Sequence, residues 1–266
     1  PDFVFHLAAQ ALVRKSYKDP VNTIRTNAIG TLNILESVRS LNNKCNVILI
    51  TSDKVYKNLE IKRGYKEDDI LGGKDPYSSS KASAEIIFNS YYNSFLKKNK
   101  NISIASARAG NVIGGGDWSD NRIVPDCIRS WIKNEAVKIR NKNATRPWQH
   151  VLEPLHGYMT LVEKLYSNKE LNGQSFNFGP KNNDNYTVGQ VIKKLNKKLL
   201  NLKVKFYKNK KYYESTLLRL NCIKAKKILN WNSKLNINEA IDFTSEWYYQ
   251  FKIDKKKLEE ITSNQI

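Results

Sequence analysis

The sequence predicts an α/β protein whose centre is a parallel β-sheet. Short apolar runs that suit buried strands alternate with longer segments whose apolar residues recur at three- and four-residue spacing. The four runs occupy residues 3–9, 46–50, 103–107 and 174–178. The run at 46–50 is apolar and β-branched after Asn46, which is typical of a buried parallel strand.

The helices are predicted from the same periodicity and follow the strands in order. Residues 21–40 form the first amphipathic segment, and residues 76–88 the second, which opens with Pro76 at a favoured first helical position. Later helices are expected at residues 123–132, 155–166 and 187–200, with a short strand at 137–139. Residues 57–75 are polar and contain glycine, so a surface loop is predicted there.

Length and cysteine content narrow the class of protein. The chain has 266 residues, enough for one large domain or two small ones. It lacks a run of about 18 apolar residues, which a membrane-spanning helix needs, so we expect a soluble, cytoplasmic protein. The cysteines Cys45, Cys127 and Cys222 are too far apart for a zinc-site spacing. We therefore expect reduced thiols and no bound metal.

The formal net charge of +20 raises the possibility of a nucleic-acid-binding protein. The excess is mostly lysine scattered among asparagines, and its densest runs lie late, as at residues 208–211 and 255–257. No helix-turn-helix, zinc-finger or aromatic ribonucleoprotein motif accompanies it. Solvated surface lysines are the simpler explanation, so neither a nucleic-acid nor a membrane partner is expected.

Residues able to do chemistry concentrate after the second predicted strand. Ser52, Asp53 and Lys54 follow its carboxyl end, where ligands bind in open α/β sheets. Tyr77 and Lys81 are one turn apart on the next helix and share a face. An ammonium beside a phenol favours the phenolate, so this pair predicts a tyrosine that acts as a base near neutral pH. Ser52 can hydrogen-bond the same substrate oxygen.

A serine at a strand end, followed 25 residues later by Tyr-x-x-x-Lys on a helix, resembles the extended short-chain dehydrogenase/reductase family. The resemblance runs from Phe3 to Phe251. Within the family, Asp53-Lys54 directly after Ser52 resembles the nucleotide-sugar 4,6-dehydratases, most of which carry Asp-Glu there. Together with residues 71–77, 108–118 and 146–155, the Asp-Lys pair is similar to the 4,6-dehydratases that act on CDP-glucose.

This resemblance implies a Rossmann-type doubly wound parallel sheet that binds NAD, with a smaller C-terminal substrate-binding lobe. Residues 1–111 and 147–180 would form the NAD-binding domain, and residues 112–146 and 181–266 the lobe. The first strand is similar to the family's fourth, so the glycine-rich phosphate turn and the first strands are expected to be missing. We expect such a fragment to fold poorly and bind the cofactor weakly, because an apolar strand edge would be exposed.

The resemblance also implies the residues that hold NAD, among them Tyr77 and Lys81. Others are expected directly after the first strand, and they are Leu7, Ala8, Ala9 and Gln10. The small side chains of Ala8 and Ala9 would let the backbone approach the dinucleotide. Asn27 matches the family's Asn-x-x-Gly-Thr pattern, although a structural role suits it equally well.

Five residues are expected to contact the nucleotide sugar, namely Asn111, Gly115, Trp118, Arg146 and His150. Arg146 is the expected diphosphate ligand because a planar guanidinium suits its oxygens, and a surface salt bridge is the alternative. The three glycines around Gly115 would let a loop lie close over the substrate, or would simply be flexible.

The implied reaction removes water across carbons 5 and 6 of a hexose. Tyr77 takes the proton of the 4-hydroxyl while hydride passes to NAD, and the resulting ketone acidifies the hydrogen on carbon 5. A base then removes that hydrogen, an acid protonates the departing 6-hydroxyl, and hydride returns to carbon 6. Asp53 is the expected acid, kept protonated by burial, and Lys54 stands in place of the usual glutamate base. A simple ion pair with Asp53 is the alternative role for Lys54.

Two other functions remain open at this point. A 4-epimerase of the same family needs serine, tyrosine, lysine and the cofactor but no acid and base beside Ser52, so Asp53 and Lys54 argue against it. A basic binding protein without catalysis would retain DNA in a salt-dependent way and would turn over no sugar nucleotide.

The helices at 21–40 and from Tyr77 onwards are similar to the pair that forms a four-helix dimer interface in relatives. Such an interface needs an outward apolar face. The expected contributors are Ile86, Ile87, Tyr91, Tyr92 and Phe95. We therefore expect a homodimer.

Overall fold

The computed structural model describes residues 1–181, 185–207 and 216–266. Its strands are β1 (Phe3–His6), β2 (Cys45–Ile50), β3 (Ile102–Ala109), β4 (Val112–Ile113), β5 (Ala136–Ile139), β6 (Thr145–Arg146), β7 (Gln149–His150), β8 (Ser175–Phe178), β9 (Tyr186–Thr187) and β10 (Lys203–Phe206). Its α-helices are α1 (Val13–Lys18), α2 (Pro20–Ile24), α3 (Gly30–Arg39), α4 (Pro76–Tyr91), α5 (Ile123–Ile132), α6 (Leu152–Ser167), α7 (Val188–Leu199), α8 (Ile237–Ile253) and α9 (Leu258–Gln265). Parts of the predicted lobe, at 182–184 and 208–215, lie outside the described residues, and the lysine run at 208–211 is among them.

The central sheet has four parallel strands in the order β1-β2-β3-β8. These are the four strands that the apolar runs predict. The fold class is therefore confirmed as α/β with a parallel sheet. No helix in the described part of the chain is long and apolar enough to cross a membrane, and all three cysteines are free.

Alternate residues of β2 face opposite sides of the sheet, as strand geometry requires. Val47 and Leu49 pack with Leu35 of α3 and Phe88 of α4. Ile48 packs on the other face, in the cluster that includes α6. Helices thus cover both faces of the sheet, which is why Val47, Ile48 and Leu49 are all apolar.

A separate hydrophobic cluster joins α5, α7 and α8 to β5. Its members lie between Ile113 and Trp148 and between Val188 and Tyr248. Trp231, in the C-terminal part of the chain, packs with the central sheet and not with this cluster. Its ring centroid lies 5.0 Å from that of Phe178.

The helix predicted at 21–40 is continuous but changes its winding. Between α2 and α3, residues Arg25–Ile29 form one π-helical turn. Its central residue, Asn27, is 2% exposed and points into the protein. Single π-turns are often found at functional sites.

The predicted surface loop at 57–75 is partly wrong. Tyr65 is 2% exposed, stacks on Tyr56 with ring centroids 5.1 Å apart, and pairs with Leu220. Polar composition predicted a solvated loop, whereas burial of one aromatic ring draws its middle onto the core.

The predicted outward face of α4 is only partly exposed. Ile86 and Phe95 are 58% and 48% exposed. Ile87, Tyr91 and Tyr92 are partly buried against the sheet cluster. The exposed apolar surface is shared with α2 and the following π-turn, where Ile24, Ile29 and Val21 stand out.

A buried ion pair connects α4 to β3. Arg108 donates to Glu85 at 2.8 Å, and the two side chains are 2% and 0% exposed. Burial raises the pKa of Glu85, but Arg108 and the hydroxyls of Thr51 and Ser106 outweigh burial and hold that pKa below its ordinary value. Glu85 is therefore ionised inside the core.

We expect Glu85→Ala to lower the free energy of unfolding by about 3–5 kcal/mol, because it leaves the Arg108 guanidinium buried without its counter-charge. Urea denaturation followed by circular dichroism measures the change. Glu36→Ala is the matched control, since its partner Arg39 lies on the surface, and it should leave the midpoint nearly unchanged. Equal effects of the two substitutions would contradict the prediction.

Candidate active site

A cavity of about 300 Å³ opens where β2 ends. The residues lining it include Ser52, Asp53, Lys54 and Tyr77. Four of the five predicted catalytic side chains therefore share one space. The fifth, Lys81, is buried and is not among the lining residues.

The start of α4 fixes the position of Tyr77. The Asp75 carboxylate accepts hydrogen bonds from the backbone N–H groups of Tyr77 and Ser78, both at 3.0 Å, and Pro76 occupies the first turn. This capping box satisfies helix N–H groups that would otherwise lack partners. Tyr77 is consequently held in the first turn, at the wall of the cavity.

The charge state of Tyr77 differs from the sequence expectation. Burial raises the pKa of its phenol to about 12, and a hydrogen bond from Ser52 and the positive charge of Arg122 offset this only in part. Lys81 was expected to lower this pKa. Burial has the largest effect on this pKa, because a phenolate loses its hydration in a low-dielectric site.

Lys81 is itself shifted by burial. Its ammonium donates to the Ile50 carbonyl at 3.3 Å, and burial lowers its pKa to about 8, while Glu85 acts in the opposite direction. An ammonium has three protons to donate, and only this one acceptor is found among the described residues. The group is thus poised to bond further oxygens.

Asp53 and Lys54 form a close pair at the strand end. Asp53 is 1% exposed, and its Oδ1 accepts from the Ser52 hydroxyl at 3.0 Å and from Lys54 Nζ at 3.4 Å. The other oxygen, Oδ2, is buried and has no hydrogen-bond partner in the described part of the chain. A bare buried carboxylate oxygen is costly, so this atom calls for a proton or a bound donor.

The predicted cofactor residues fall into two groups. Leu7 and Ala8 are exposed beyond β1, and Ala9 is half-buried. Gln10 is 8% exposed and is tied to Asn27, whose amide bonds both backbone groups of Gln10 at 2.8 and 3.0 Å. The Asn27 amide also donates to Ser80 of α4 at 2.8 Å. Asn27 therefore joins the loop after β1 to the helix of Tyr77, which is the structural alternative considered for it.

Two of the predicted substrate residues line the cavity, Asn111 and Arg146. The Asn111 Oδ1 atom is buried and accepts no hydrogen bond from the described residues. Arg146 donates to the Thr145 carbonyl at 2.7 Å. Several further cations line the same cavity and were not singled out from the sequence, namely Arg14, Lys74, Arg122, Lys138 and Arg140.

The other three predicted substrate residues lie outside the cavity lining. A Cβ on Gly115 would come within 2.2 Å of the Trp247 ring, so this glycine allows close packing of its loop. Trp118 packs on Tyr248 and Phe251. His150 is 2% exposed, and burial lowers its pKa to about 4. Their contacts with the substrate therefore stay a prediction.

Sequence reasoning also missed Glu85 and Arg108 as a pair. A charged residue on the inner face of α4 and another within the apolar strand β3 were the available signals. Buried charges are rarely tolerated without a partner. Their pairing could have been suspected from this rule alone.

The lowered pKa of Lys81 gives a pH-dependent prediction. Between pH 8 and pH 10.5 the unfolded chain holds a proton on this lysine that the folded protein has lost, so this group's contribution to stability rises with pH. Relative to Lys81→Met, the unchanged protein should gain roughly 3 kcal/mol across this range. Urea midpoints at pH 7 to 10 measure the change.

The exposed Lys97, just beyond the same helix, gives the control variant Lys97→Met. Its stability difference from the unchanged protein should not vary with pH. A difference that is also constant for Lys81→Met would contradict the lowered pKa.

Comparison with known proteins is consistent with these features. A family model described as GDP-mannose 4,6 dehydratase matches residues 1–244. The CDP-glucose 4,6-dehydratase of Salmonella typhimurium (strain LT2) is 40% identical over 253 residues, covering 93% of this chain and 70% of that protein. The UDP-glucose 4-epimerase of Mycoplasma genitalium is 24% identical over 273 residues, covering 96% and 77%.

Solved structures share the fold. The UDP-glucuronic acid 4-epimerase of Bacillus cereus, in complex with UDP-glucuronic acid and NAD, has a TM-score of 0.82 at 21% identity and covers 94% of this chain and 76% of its own. The dTDP-glucose 4,6-dehydratase of Bacillus anthracis, in complex with NAD, has a TM-score of 0.79 at 21% identity, with 97% and 75% covered. From the family model and the 40% identical relative, the chain belongs to the GDP-mannose 4,6-dehydratase family of enzymes, among the extended short-chain dehydrogenase/reductases.

Proposed function

We propose that this chain is a 4,6-dehydratase that converts CDP-glucose to CDP-4-keto-6-deoxyglucose with NAD. The observation that carries the proposal is the presence of two chemical pairs in one cavity. Ser52 and Tyr77 suit oxidation at carbon 4, and Asp53 and Lys54 lie directly beside them. An epimerase would use only the first pair. The 40% identical relative supports CDP-glucose as the substrate.

The residues present fit the dinucleotide. The exposed Leu7 and Ala8 offer a strip of backbone and small side chains after β1, and the buried Lys81 ammonium has protons left for ribose hydroxyl oxygens. Leu7 to Gln10, Tyr77 and Lys81 would hold the cofactor, with Asn27 fixing their relative position. Bound NAD would accept hydride from carbon 4 and return it to carbon 6.

Tyr77 serves as the base for the 4-hydroxyl, and Ser52 holds that oxygen. Because burial raises the pKa of Tyr77 to about 12, its phenolate needs positive charge close by. Arg122 lines the cavity and lowers this pKa, and we propose that Lys81 adds further positive charge. The proton of the 4-hydroxyl then passes to the tyrosine.

Asp53 and Lys54 carry the elimination of water. This step requires a carboxylic acid at Asp53 and a neutral amine at Lys54. The amine removes the proton on carbon 5, and Asp53 delivers its own proton through the otherwise unbonded Oδ2 to the leaving 6-hydroxyl. One proton is taken and one is given, so the net loss is a water molecule.

The rest of the cavity would hold the nucleotide diphosphate. Arg146 and the other lining cations supply positive charge, and the Asn111 Oδ1 offers an acceptor for a substrate hydroxyl. We propose that residues 1–111 and 147–180 bind NAD and that 112–146 and 181–266 bind the nucleotide sugar. Free cysteines are typical of the cytoplasm, which is the proposed location.

The test uses the product of the complete gene, incubated with NAD and separately with the glucose conjugates of CDP, dTDP and UDP and with GDP-mannose. Mass spectrometry follows the loss of one water. We expect loss from CDP-glucose alone.

Each other result has a definite meaning. Loss of water from another conjugate keeps the mechanism and changes the substrate. A 4-epimer without water loss rejects the dehydratase in favour of the epimerase. Salt-dependent DNA retention without any turnover favours the basic binding protein.

The role of Lys54 can be tested by exchange. Lys54→Met should still oxidise carbon 4, seen as reduced nicotinamide, but should stop solvent deuterium from entering at carbon 5. Lys57→Met, an exposed lysine three residues on, should exchange as the unchanged enzyme does. Undiminished exchange in Lys54→Met would reject the catalytic role.

We also propose a homodimer formed through α2, α3 and α4. The support is the exposed apolar surface that these helices share, including Ile24, Ile29 and Ile86 at 44%, 43% and 58% exposure. Ile29→Lys combined with Ile86→Lys should halve the mass measured by light scattering. Ile253→Lys, at an equally exposed isoleucine of α8, should not, and a monomeric unchanged protein would refute the dimer.

A further inference from the structure

The segment that carries Ser52, Asp53 and Lys54 is anchored at both ends to one buried ion pair. Before it, the Thr51 hydroxyl donates to Glu85 Oε1 at 2.5 Å. After it, the Tyr56 hydroxyl accepts from the Arg108 partner of Glu85 at 2.9 Å. The catalytic segment, residues 52–54, is thus held on both sides by contacts with Glu85 and Arg108.

Glu85 lies on the helix of the proposed base. It follows Lys81 by four residues and Tyr77 by eight, so all three lie along one side of α4 at a rise of about 1.5 Å per residue. A contact between Glu85 and Thr51 therefore fixes the distance from the helix to the end of β2. Ser52 follows β2 and Tyr77 belongs to α4, so this contact also bears on the separation of the Ser52 hydroxyl from the Tyr77 phenol.

The two oxygens of Glu85 face different parts of the protein. Oε1 receives Thr51, next to the catalytic segment, whereas Oε2 receives Arg108 at 2.8 Å and the Ser106 hydroxyl at 3.0 Å, both on β3. Removing a hydroxyl from either side deletes one hydrogen bond to the same carboxylate. Only the first deletion removes a side-chain contact directly beside the catalytic segment.

We infer that Glu85 is a positioning residue, which through Thr51 holds Ser52 and Asp53 at their working distance from Tyr77. The inference rests on the proposed dehydratase function and adds a residue that does not line the cavity. A misplacement of about 1 Å can cost on the order of 100-fold in rate. A lost contact here should therefore act on turnover more than on binding.

The experiment compares three variants of the complete gene product with CDP-glucose. Thr51→Val removes the donor and keeps the shape, Thr51→Ser keeps the donor, and Ser106→Ala removes the donor to the opposite oxygen. We expect Thr51→Val to lower kcat roughly 10- to 100-fold with KM within about twofold. Thr51→Ser should restore most of kcat, and Ser106→Ala should lower the melting temperature with kcat within about twofold.

Equal losses of kcat in Thr51→Val and Ser106→Ala would overturn the inference, because the effect would then not be specific to the contact through Thr51. A Thr51→Val enzyme with normal kcat and a lowered melting temperature would overturn it too. An unchanged enzyme that turns over none of the four sugar nucleotides would instead overturn the proposed function, and the inference with it.

Discussion

The ion pair of Glu85 and Arg108 is the interaction on which the arrangement of this protein depends. Two charges without water are expensive, and only good geometry with further hydrogen bonds makes them tolerable. Here the guanidinium reaches Tyr56 and the Glu67 carbonyl as well as the carboxylate. These contacts bring α4, β3 and the loop after β2 to one point, so none of them can shift without exposing a charge.

Around that point many polar groups are hydrogen-bonded, although Arg108 Nε has no partner among the described residues. The Tyr56 hydroxyl donates to Asn177 of β8 at 2.6 Å, and the Asn177 amide reaches the Tyr65 carbonyl at 2.8 Å. In the low-dielectric interior each hydrogen bond is stronger, and a missing hydrogen bond is more costly. The unpaired oxygens of Asp53 and Asn111 contrast with this neighbourhood, because both border the cavity. A buried oxygen that borders a cavity and has no protein donor can accept a hydrogen bond from a ligand.

Local sequence predicted much of this fold. The strand at 46–50 and the helix opening at Pro76 follow from hydrophobic period and proline position, and both depend on neighbours close in the chain. The grouping of Ser52 with Tyr77 followed because a strand end and the next helix meet at one edge of a parallel sheet. The raised pKa of Tyr77 could not be predicted from the sequence, since burial is a property of the packed protein and not of a four-residue spacing.

The features that local sequence did not predict depend on contacts between residues far apart in the chain. Tyr65 is buried because Leu220 pairs with it, 155 residues later in the sequence. The same holds for Gly115, whose triple-glycine context suggested a loop over the substrate. Its neighbour is in fact Trp247, on a helix that no local pattern ties to it. Composition indicates that such a glycine is unusual but not which side chain it accommodates.

The contact between Gly115 and Trp247 has a consequence for handling the protein. The Trp247 indole N–H donates to Thr262 of α9 at 3.1 Å, and Gln265 of the same helix donates to the Phe243 carbonyl of α8 at 3.0 Å. The last helix is therefore connected, through one tryptophan, to the loop that leads into the cavity from Gly115. A label attached to α9 would act on this connection, so positions on that helix are poor sites for labels in kinetic work.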